Sequence, residues 1–253
     1  MNAEDPEVNV WYLFHSGFAI KTCNHFMVFD YYIDKPVHLP RSLDTGVIDP
    51  GEISHLQEAT DFKVTVFSSH AHHDHFNPVI FKWQESVSDI RYVLSHDIPM
   101  PQDVDMVTQV YPGREYDLAD MHITVLDSTD MGVAFLVKVD GITVYHAGDL
   151  NWWHWECDPE SDNILMAENY KRQIDLLKDR SVDLAFVPMD PRLGDYYLLG
   201  MDYFIKAVNC AKVFPMHFGE DHSVFRRLEN DARAAEYRNK IIEITHRGQH
   251  FTF

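Results

Sequence analysis

Hydrophobic and polar residues alternate in short runs through most of this chain, a pattern that is typical of β-strands. The first run, residues 8–14, is followed by two more β-rich runs across short polar turns, which predicts an opening meander. Asp140-Gly141 separates two later runs and is a strong tight-turn signal. The segments that predict strands are residues 8–14, 18–21, 26–30, 62–67, 91–95, 105–111, 123–126, 133–139, 142–146, 182–187, 212–214 and 241–245.

Apolar residues near helical spacing come late in each half of the chain. The segments that predict helices are residues 78–86, 164–177, 203–208 and 224–237. Asn77-Pro78 is a plausible start for the first of them. Residues 34–59 hold three prolines and two glycines and predict mostly connecting loop with an acidic, helical piece. Strands and helices in both halves together predict a mixed α/β chain.

The composition fits one globular domain over residues 1–253, because 45% hydrophobic and 13% aromatic residues can bury a sizeable core. The formal net charge of −19 would repel a phosphate backbone. The charge therefore argues against a nucleic-acid partner and favours a small-molecule substrate. The sequence does not indicate an oligomeric state.

The amino terminus and the cysteines lead us to expect a cytoplasmic protein. Residues 1–7 are acidic and have no basic segment leading into an apolar one, so no secretory signal is expected. Apolar runs stay well short of membrane-spanning length. Cys23, Cys157 and Cys210 are isolated and odd in number, which suits a reducing compartment and predicts neither a disulfide framework nor a thiolate zinc motif.

The run His70-Ala71-His72-His73-Asp74-His75 follows the predicted strand at residues 62–67. Imidazole nitrogens and a carboxylate oxygen are ligands for borderline cations such as zinc. His70 and His72 are two apart and can face one cation, while Asp74 and His75 lie beyond the expected turn and can reach a second. One metal or two remain open. A solvated His-rich loop is the alternative, but the interposed Asp and the flanking strand argue against it.

Two further strand ends carry single ligand-type residues. Asp149 ends the run Tyr145-His146-Ala147-Gly148-Asp149, and His217 stands before Phe218-Gly219. Taken alone, each is more typical of a turn or a structural residue. Together with the His-rich run, they become candidate metal ligands.

On these three motifs the chain resembles the metallo-β-lactamase fold superfamily, and in particular its hydrolases similar to the L-ascorbate-6-phosphate lactonase group. The resemblance spans about 150 residues, from the His-x-His-x-Asp-His run to the late His217. It implies a four-layer αββα sandwich with the metal cluster at one edge of the two sheets. It also implies one or two divalent cations, zinc first, with manganese or iron as alternatives.

The resemblance implies a role for each matched residue. His70 and His72 would hold one metal, Asp74, His75 and His217 the other, and Asp149 would bridge both. The family normally supplies one more His before the Gly-Asp turn, where this chain has residues 126–133 without a His. Asp130 is the best substitute, and His146 is the runner-up, with an outer supporting role as its alternative.

Other residues near these motifs have two readings each. His15 either faces the site or caps a turn, and Asp190, with Arg192, contacts either the substrate or only a surface partner in an ion pair. Trp152 and Trp153, which follow Asp149, belong either to the pocket wall or to the core.

The predicted function is a hydrolase that uses a metal-bound hydroxide on an ester, lactone, amide or phosphodiester of a small molecule. Asp74 would be the catalytic residue, orienting the hydroxide while it binds its metal. The missing His motivates an alternative, a catalytically weakened metal-binding or ligand-sensing protein on the same scaffold. A phosphodiesterase or nuclease is a third reading, against which the acidic charge argues.

Overall fold

Two β-sheets packed face to face form the centre of the computed structural model, which describes residues 7–36, 40–118 and 120–253. In these residues the first sheet has the strand order β13-β1-β2-β3-β4-β5-β6, and the second has the order β12-β11-β10-β9-β8-β7. The strands of the first sheet are β1 Asn9–Phe14, β2 Gly17–Lys21, β3 His25–Phe29, β4 Lys63–Ser68, β5 Arg91–Ser95, β6 Val107–Val110 and β13 His250–Thr252. Those of the second are β7 Glu115–Leu118, β8 Met121–Asp127, β9 Val133–Val139, β10 Ile142–His146, β11 Ser181–Pro188 and β12 Asn209–Met216.

Helices cover the outer faces of both sheets. They are α1 Pro50–Thr60, α2 Glu160–Asp175, α3 Leu199–Ala207 and α4 Ser223–Asn230. Ile53 of α1 and Trp83 of a 3-10 helix, Pro78–Glu85, pack on the first sheet. On the second sheet, Phe204 of α3 stacks on Tyr145 at a ring distance of 4.9 Å. The predicted αββα sandwich is therefore confirmed.

The space between the sheets is filled by aromatic and branched side chains. Phe29 and Phe67, on neighbouring strands of the first sheet, stack at 4.5 Å, and Phe135 of the second sheet packs edge-on against Phe67 at 5.3 Å. The central strands β3, β4 and β9 are buried almost throughout because both of their faces are covered. Nearly continuous apolar runs, rather than strict alternation, mark such strands in the sequence.

Parallel pairing brings several strand ends to one edge of the sandwich. Strands β3, β4 and β5 run parallel in the first sheet, and β10, β11 and β12 run parallel in the second. Their carboxyl ends therefore meet at the same edge, where ligand sites in α/β sheets commonly lie. All three sequence motifs come directly after these strands.

Two predictions near the carboxyl end of the chain are wrong. The helix predicted at residues 224–237 ends at Asn230, because Asp231 adopts an extended backbone and its carboxylate accepts the Arg233 N–H to start a new 3-10 turn. The strand predicted at residues 241–245 is reduced to a single bridge between Ile241 and Val213. The last strand is instead β13, which pairs with β1.

The sequence also missed β7, a short and partly exposed edge strand. Its composition, Glu-Tyr-Asp-Leu, has no apolar run to distinguish it from a loop. Among the described residues, no helix combines the length and the apolar character needed to cross a bilayer.

Candidate metal centre

Seven His and Asp side chains converge at the edge where the parallel strands end. In each of two groups, every residue offers one ligand atom, and these atoms all lie within 4.8 Å of one another. One group consists of His70, His72 and Asp149, and the other of His15, Asp74, His75 and His217. The structure thus brings together six of the seven residues predicted as ligands and adds His15.

Asp149 lies between the two groups. Its Oδ2 is 3.5 Å from His70 Nε2, and its Oδ1 is 3.2 Å from His75 Nε2 and 3.3 Å from His217 Nε2. A carboxylate with one oxygen toward each group has the position of a bridging ligand.

Two glycines let the three loops approach each other this closely. Gly132 and Gly148 both have positive φ, 71° and 52°, which an ordinary side chain rarely adopts. A Cβ on Gly132 would collide with the Ser69 carbonyl oxygen, and one on Gly148 would lie 2.6 Å from the Ser69 Cβ. Ser69 O also accepts the Val133 N–H at 2.9 Å. The His-rich loop therefore lies directly on the two loops of the second sheet.

Asp30, which the sequence analysis did not single out, orients two of the histidines. It is buried at the end of β3 and accepts hydrogen bonds from Ser69 N–H and Ser69 Oγ–H, both at 2.7 Å. Its Oδ2 also lies 2.8 Å from His75 Nδ1, and Ser69 Oγ lies 3.0 Å from His70 Nδ1. Because both Nδ1 atoms are engaged, both Nε2 atoms are directed to the centre. The available signal was a carboxylate directly after an apolar strand.

Asp190 orients His217 in the same way. It is fully buried, lies 2.9 Å from His217 Nδ1, and accepts hydrogen bonds from the Arg192 backbone N–H and side chain. The predicted ion pair between Asp190 and Arg192 is present, but the Asp190 carboxylate is buried and contacts His217 instead of lying on the surface. Burial acts to raise the pKa of Asp190, but the hydrogen bonds from His217 and Arg192 hold it well below its usual range.

Burial and nearby carboxylates act in opposite directions on the pKa values of several histidines of the centre. Burial is the main cause that lowers the pKa of His15 and of His70 to about 3, and a neighbouring histidine adds to each effect. Burial also acts to lower the pKa of His217, but its bond to Asp190 and the charges of Asp149 and Asp190 outweigh this, so its pKa is raised. Burial raises the pKa of Asp149 to about 7, against the opposing effect of His217.

The centre has buried polar atoms that lack partners. In the described part of the chain, His15 Nε2, His70 Nε2, His75 Nε2 and Asp149 Oδ1 are inaccessible to solvent and make no hydrogen bond. Such atoms cost free energy when left unpaired. A divalent cation would pair all of them, and imidazole with carboxylate is the donor set of zinc, manganese or iron. The residues therefore fit a metal.

The two candidates for the missing His are placed differently. Asp130 is exposed on the wall of the adjoining cavity, outside both groups of converging atoms, so its role as a ligand stays a prediction. His146 is fully buried, with Nε2 2.8 Å from the Ser16 carbonyl and Nδ1 accepting the Gly148 N–H at 3.2 Å. Both of its ring nitrogens are thus used within the protein.

The tryptophans after Asp149 divide between the site and the core. Trp153 lines the cavity, lies with its ring 5.3 Å from that of His217, and donates its Nε1–H to the Asp149 carbonyl at 3.0 Å. Trp152 packs on the core instead, with Lys171 4.2 Å above its ring. His73, left out of the shell in the sequence analysis, has a side chain that is 96% exposed.

A cavity of about 400 Å³ opens onto the centre. This volume lies in the range of sites for small molecules. Its lining residues are His72, Asp74, Thr129, Asp130, Asp149, Trp153, Trp155, Asp158, Asp162, Asn163, Met166, Arg192 and His217. A larger cavity of about 600 Å³ lies beside α4, but neither group of converging ligand atoms borders it.

Known proteins support the resemblance at the level of the fold and of the enzyme class. The chain is 26% identical over 246 residues to a UPF0173 metal-dependent hydrolase of Thermococcus kodakarensis, an alignment that covers 88% of this chain and 93% of that protein. It is also 26% identical over 141 residues to a UPF0173 metal-dependent hydrolase of Archaeoglobus fulgidus, covering 54% of this chain and 52% of that protein. No family model matches the chain.

Solved structures agree on the fold. The metallo-hydrolase Igni18 of Ignicoccus hospitalis superposes with a TM-score of 0.65 at 16% identity, over 98% of each chain. CmlA, a diiron β-hydroxylase of Streptomyces venezuelae, superposes with a TM-score of 0.59 at 10% identity, over 100% of this chain and 54% of that one.

The predicted class of metal-dependent hydrolase agrees with the names of these relatives, while the finer resemblance to the lactonase group stays a prediction. The protein has the metallo-β-lactamase fold, and the proteins it resembles in sequence are named metal-dependent hydrolases.

Proposed function

We propose that the protein hydrolyses an ester, lactone, amide or phosphodiester bond in a small polar molecule, with one or two divalent cations held by its His and Asp side chains. The observation that carries the proposal is the convergence of buried, unpartnered ligand atoms at the floor of the cavity. Buried polar side chains that bind no ligand normally form hydrogen bonds with each other or with water.

The ligands divide into the two groups described above. His70, His72 and Asp149 would hold one cation, while Asp74, His75 and His217 would hold the other. A zinc ion held there would lower the pKa of a water to about 7, so that the water could act as a nucleophile near neutral pH.

Asp74 is the candidate catalytic residue of this chain. Its side chain is 32% exposed and lines the cavity, unlike the buried Asp149. Its carboxylate can therefore accept a hydrogen bond from the attacking water and fix the direction of the water's lone pair. Asp130 lies on the same wall and completes the ligand set of the first group in this proposal.

The cavity supports a substrate with both apolar and polar parts. Trp153, Trp155 and Met166 give one wall an apolar surface, and Arg192 brings a cationic group to the cavity, anchored on Asp190. The volume of about 400 Å³ fits a small molecule.

A second candidate function is metal-dependent sensing without turnover. The observation that favours it is the composition of the first group, which has only two imidazoles and the shared carboxylate. Fewer ligands would hold the first cation more weakly.

The two functions separate in one experiment. Purified protein is stripped with a chelator, reloaded with zinc, manganese or iron, and assayed on chromogenic esters, lactones, amides and phosphodiesters. We expect one substrate class to be hydrolysed by the loaded protein only. The variant Asp149→Ala should lose metal content and hydrolysis together, whereas the control His73→Ala, with an exposed side chain, should keep both. Bound metal without turnover on any panel substrate would favour the sensor, and full metal retention by Asp149→Ala would contradict the bridging role.

A further inference from the structure

His15 has a backbone that is fixed at the metal centre. It follows β1 in the left-handed region, with φ of 56°, which is uncommon for residues other than glycine. Its N–H donates to the Tyr12 hydroxyl at 2.8 Å, and its carbonyl accepts the His217 N–H at 3.2 Å. The strained turn is therefore bonded directly to the backbone of a predicted ligand, as is common at functional sites.

The imidazole of His15 points at the same position as three other ligands. Its Nε2 is 3.7 Å from Asp74 Oδ2, and its ring centroid is 4.1 Å from that of His217 and 5.7 Å from that of His75. This Nε2 is buried and makes no hydrogen bond to any part of the chain that the structure describes. A turn-capping His would use its ring nitrogens on nearby backbone groups.

His15 does not line the cavity of about 400 Å³ that opens onto the centre, although Asp74 and His217 do. It borders a neighbouring cavity of about 420 Å³ together with His217 and Arg192. The imidazole is thus behind the centre, as seen from the cavity where we place the substrate.

With His15 included, the two groups are unequal. The group of His15, Asp74, His75 and His217 offers three imidazoles and one carboxylate in addition to the shared Asp149 carboxylate. The other group offers two imidazoles and the carboxylate of Asp149. A nitrogen-rich set also favours zinc over hard cations such as magnesium.

We propose that His15 is a direct metal ligand and that the four-residue site of His15, Asp74, His75 and His217 fills first, before the site of His70, His72 and Asp149. The inference deepens the proposed function but depends only on metal binding and not on turnover. In this inference His15 binds the cation itself instead of only facing the site.

The test is a zinc titration of the metal-free protein by calorimetry, with bound metal counted by plasma mass spectrometry. We expect two unequal binding steps. The variant His15→Asn keeps a side chain that tolerates the left-handed backbone but removes the imidazole, and it should weaken the first step by at least about 100-fold. His70→Ala should remove the second step and leave the first, and the exposed His73→Ala should change neither.

A second variant separates ligation from a structural effect. His15→Gly also suits the positive φ and leaves space, so added free imidazole should restore the affinity of the first step. In a cobalt-loaded sample, imidazole should also restore the visible absorption bands of the wild-type protein.

The outcomes distinguish this inference from the proposed function. Wild-type affinity of the first step in His15→Asn, or absence of imidazole rescue in a folded His15→Gly, would overturn the role of His15. Two-step zinc binding with no hydrolysis of any substrate would overturn the proposed function and leave this inference standing. A wild-type protein that binds no zinc would overturn this inference, and one that binds none of zinc, manganese and iron would overturn both.

Discussion

Asp30 is a buried residue that orients the metal centre without being one of its converging ligand residues. Its buried carboxylate accepts hydrogen bonds from the Ser69 backbone N–H, the Ser69 hydroxyl and the His75 Nδ1–H. A carboxylate accepts from all of these donors, while an amide has an NH₂ group that would face one of them. The residue therefore fixes both the direction and the proton position of the ligand rings.

Replacing Asp30 by Asn should weaken metal binding by about 10- to 100-fold, because His75 loses the acceptor that orients it. The free energy of unfolding of the metal-free protein should fall by about 1–3 kcal/mol, since a buried donor is left facing another donor. Calorimetric metal titration and urea denaturation would measure the two effects.

The matched control is Asp183→Asn. Asp183 is an exposed aspartate that accepts the Thr143 N–H at 2.7 Å, a bond that an amide oxygen can also accept. We expect little change in metal affinity there. An Asp30→Asn variant with wild-type affinity would contradict the orienting role.

At the scale of secondary-structure elements, close contacts between loops set the positions of the metal ligands. The ligands stand on loops after β4, β10 and β12, and these loops pack against each other rather than against solvent. Gly132, at the start of β9, has its Cα against the backbone of Ser69 and the Cβ of His70. The second sheet thus sets the position of the His-rich loop of the first.

Gly132→Ala tests this contact, with Gly113→Ala as its control. Both glycines have φ near 70°, but a Cβ on Gly113 would meet no described atom within 4 Å. The free energy of unfolding of the control should therefore fall only by the cost of placing alanine in a left-handed backbone, about 1–2 kcal/mol. The free energy of unfolding of Gly132→Ala should fall by about 1–3 kcal/mol more, because the added methyl group is overpacked. This variant should also bind metal more weakly.

Urea denaturation of both variants gives the difference directly. Equal losses of unfolding free energy in the two variants would mean that the loops can separate at little cost, and the contact would then not define the centre.

At the scale of the whole molecule, a polar cluster joins the two sheets at the end opposite the metal centre. Asp140, in the turn between β9 and β10, accepts hydrogen bonds from Thr22 Oγ1 at 2.5 Å and from the Asn24 N–H at 2.8 Å, and it lies 3.1 Å from His25 Nδ1. The cluster connects the β2–β3 turn of the first sheet to the second sheet. It therefore fixes the relative position of the sheets far from the site.

This cluster predicts a loss of stability in acid. Burial acts to raise the pKa of Asp140, but hydrogen bonds from Thr22, Asn24 and His25 outweigh it and hold the pKa below its usual range. A carboxyl whose pKa is lower in the folded state stabilises that state above its unfolded pKa of about 3.9, and the contribution is lost as the pH falls below that value.

Asp140→Asn should accordingly be less stable than the wild type near pH 7, and the gap in unfolding free energy should narrow toward about pH 3. Urea unfolding of chelator-treated samples at both pH values would measure this difference in unfolding free energy without a contribution from bound metal. The exposed Asp179→Asn should show no such narrowing. A gap for Asp140→Asn that stays constant with pH would contradict the assignment.

The sequence by itself determined the local parts of this protein. The run from His70 to His75 delivers four of the predicted ligands within six residues, so no distant contact is needed to recognise it. Strands with long apolar runs were also predictable, because burial on both faces leaves a continuous pattern. Edge elements such as β7 and β13 were not, since their pairing depends on a neighbour and not on their own composition.

Only the tertiary structure decided what completes and orients the centre. His15, Asp30 and Asp190 follow three different strands, β1, β3 and β11, and each becomes part of the site because the ends of these strands meet at one edge. Their side-chain directions follow from the positive φ of His15 and Asp30 and from hydrogen bonds between loops, such as the one from the His217 N–H to the His15 carbonyl. A linear pattern records the type of each residue, but the distance between residues far apart in the chain is set by sheet packing.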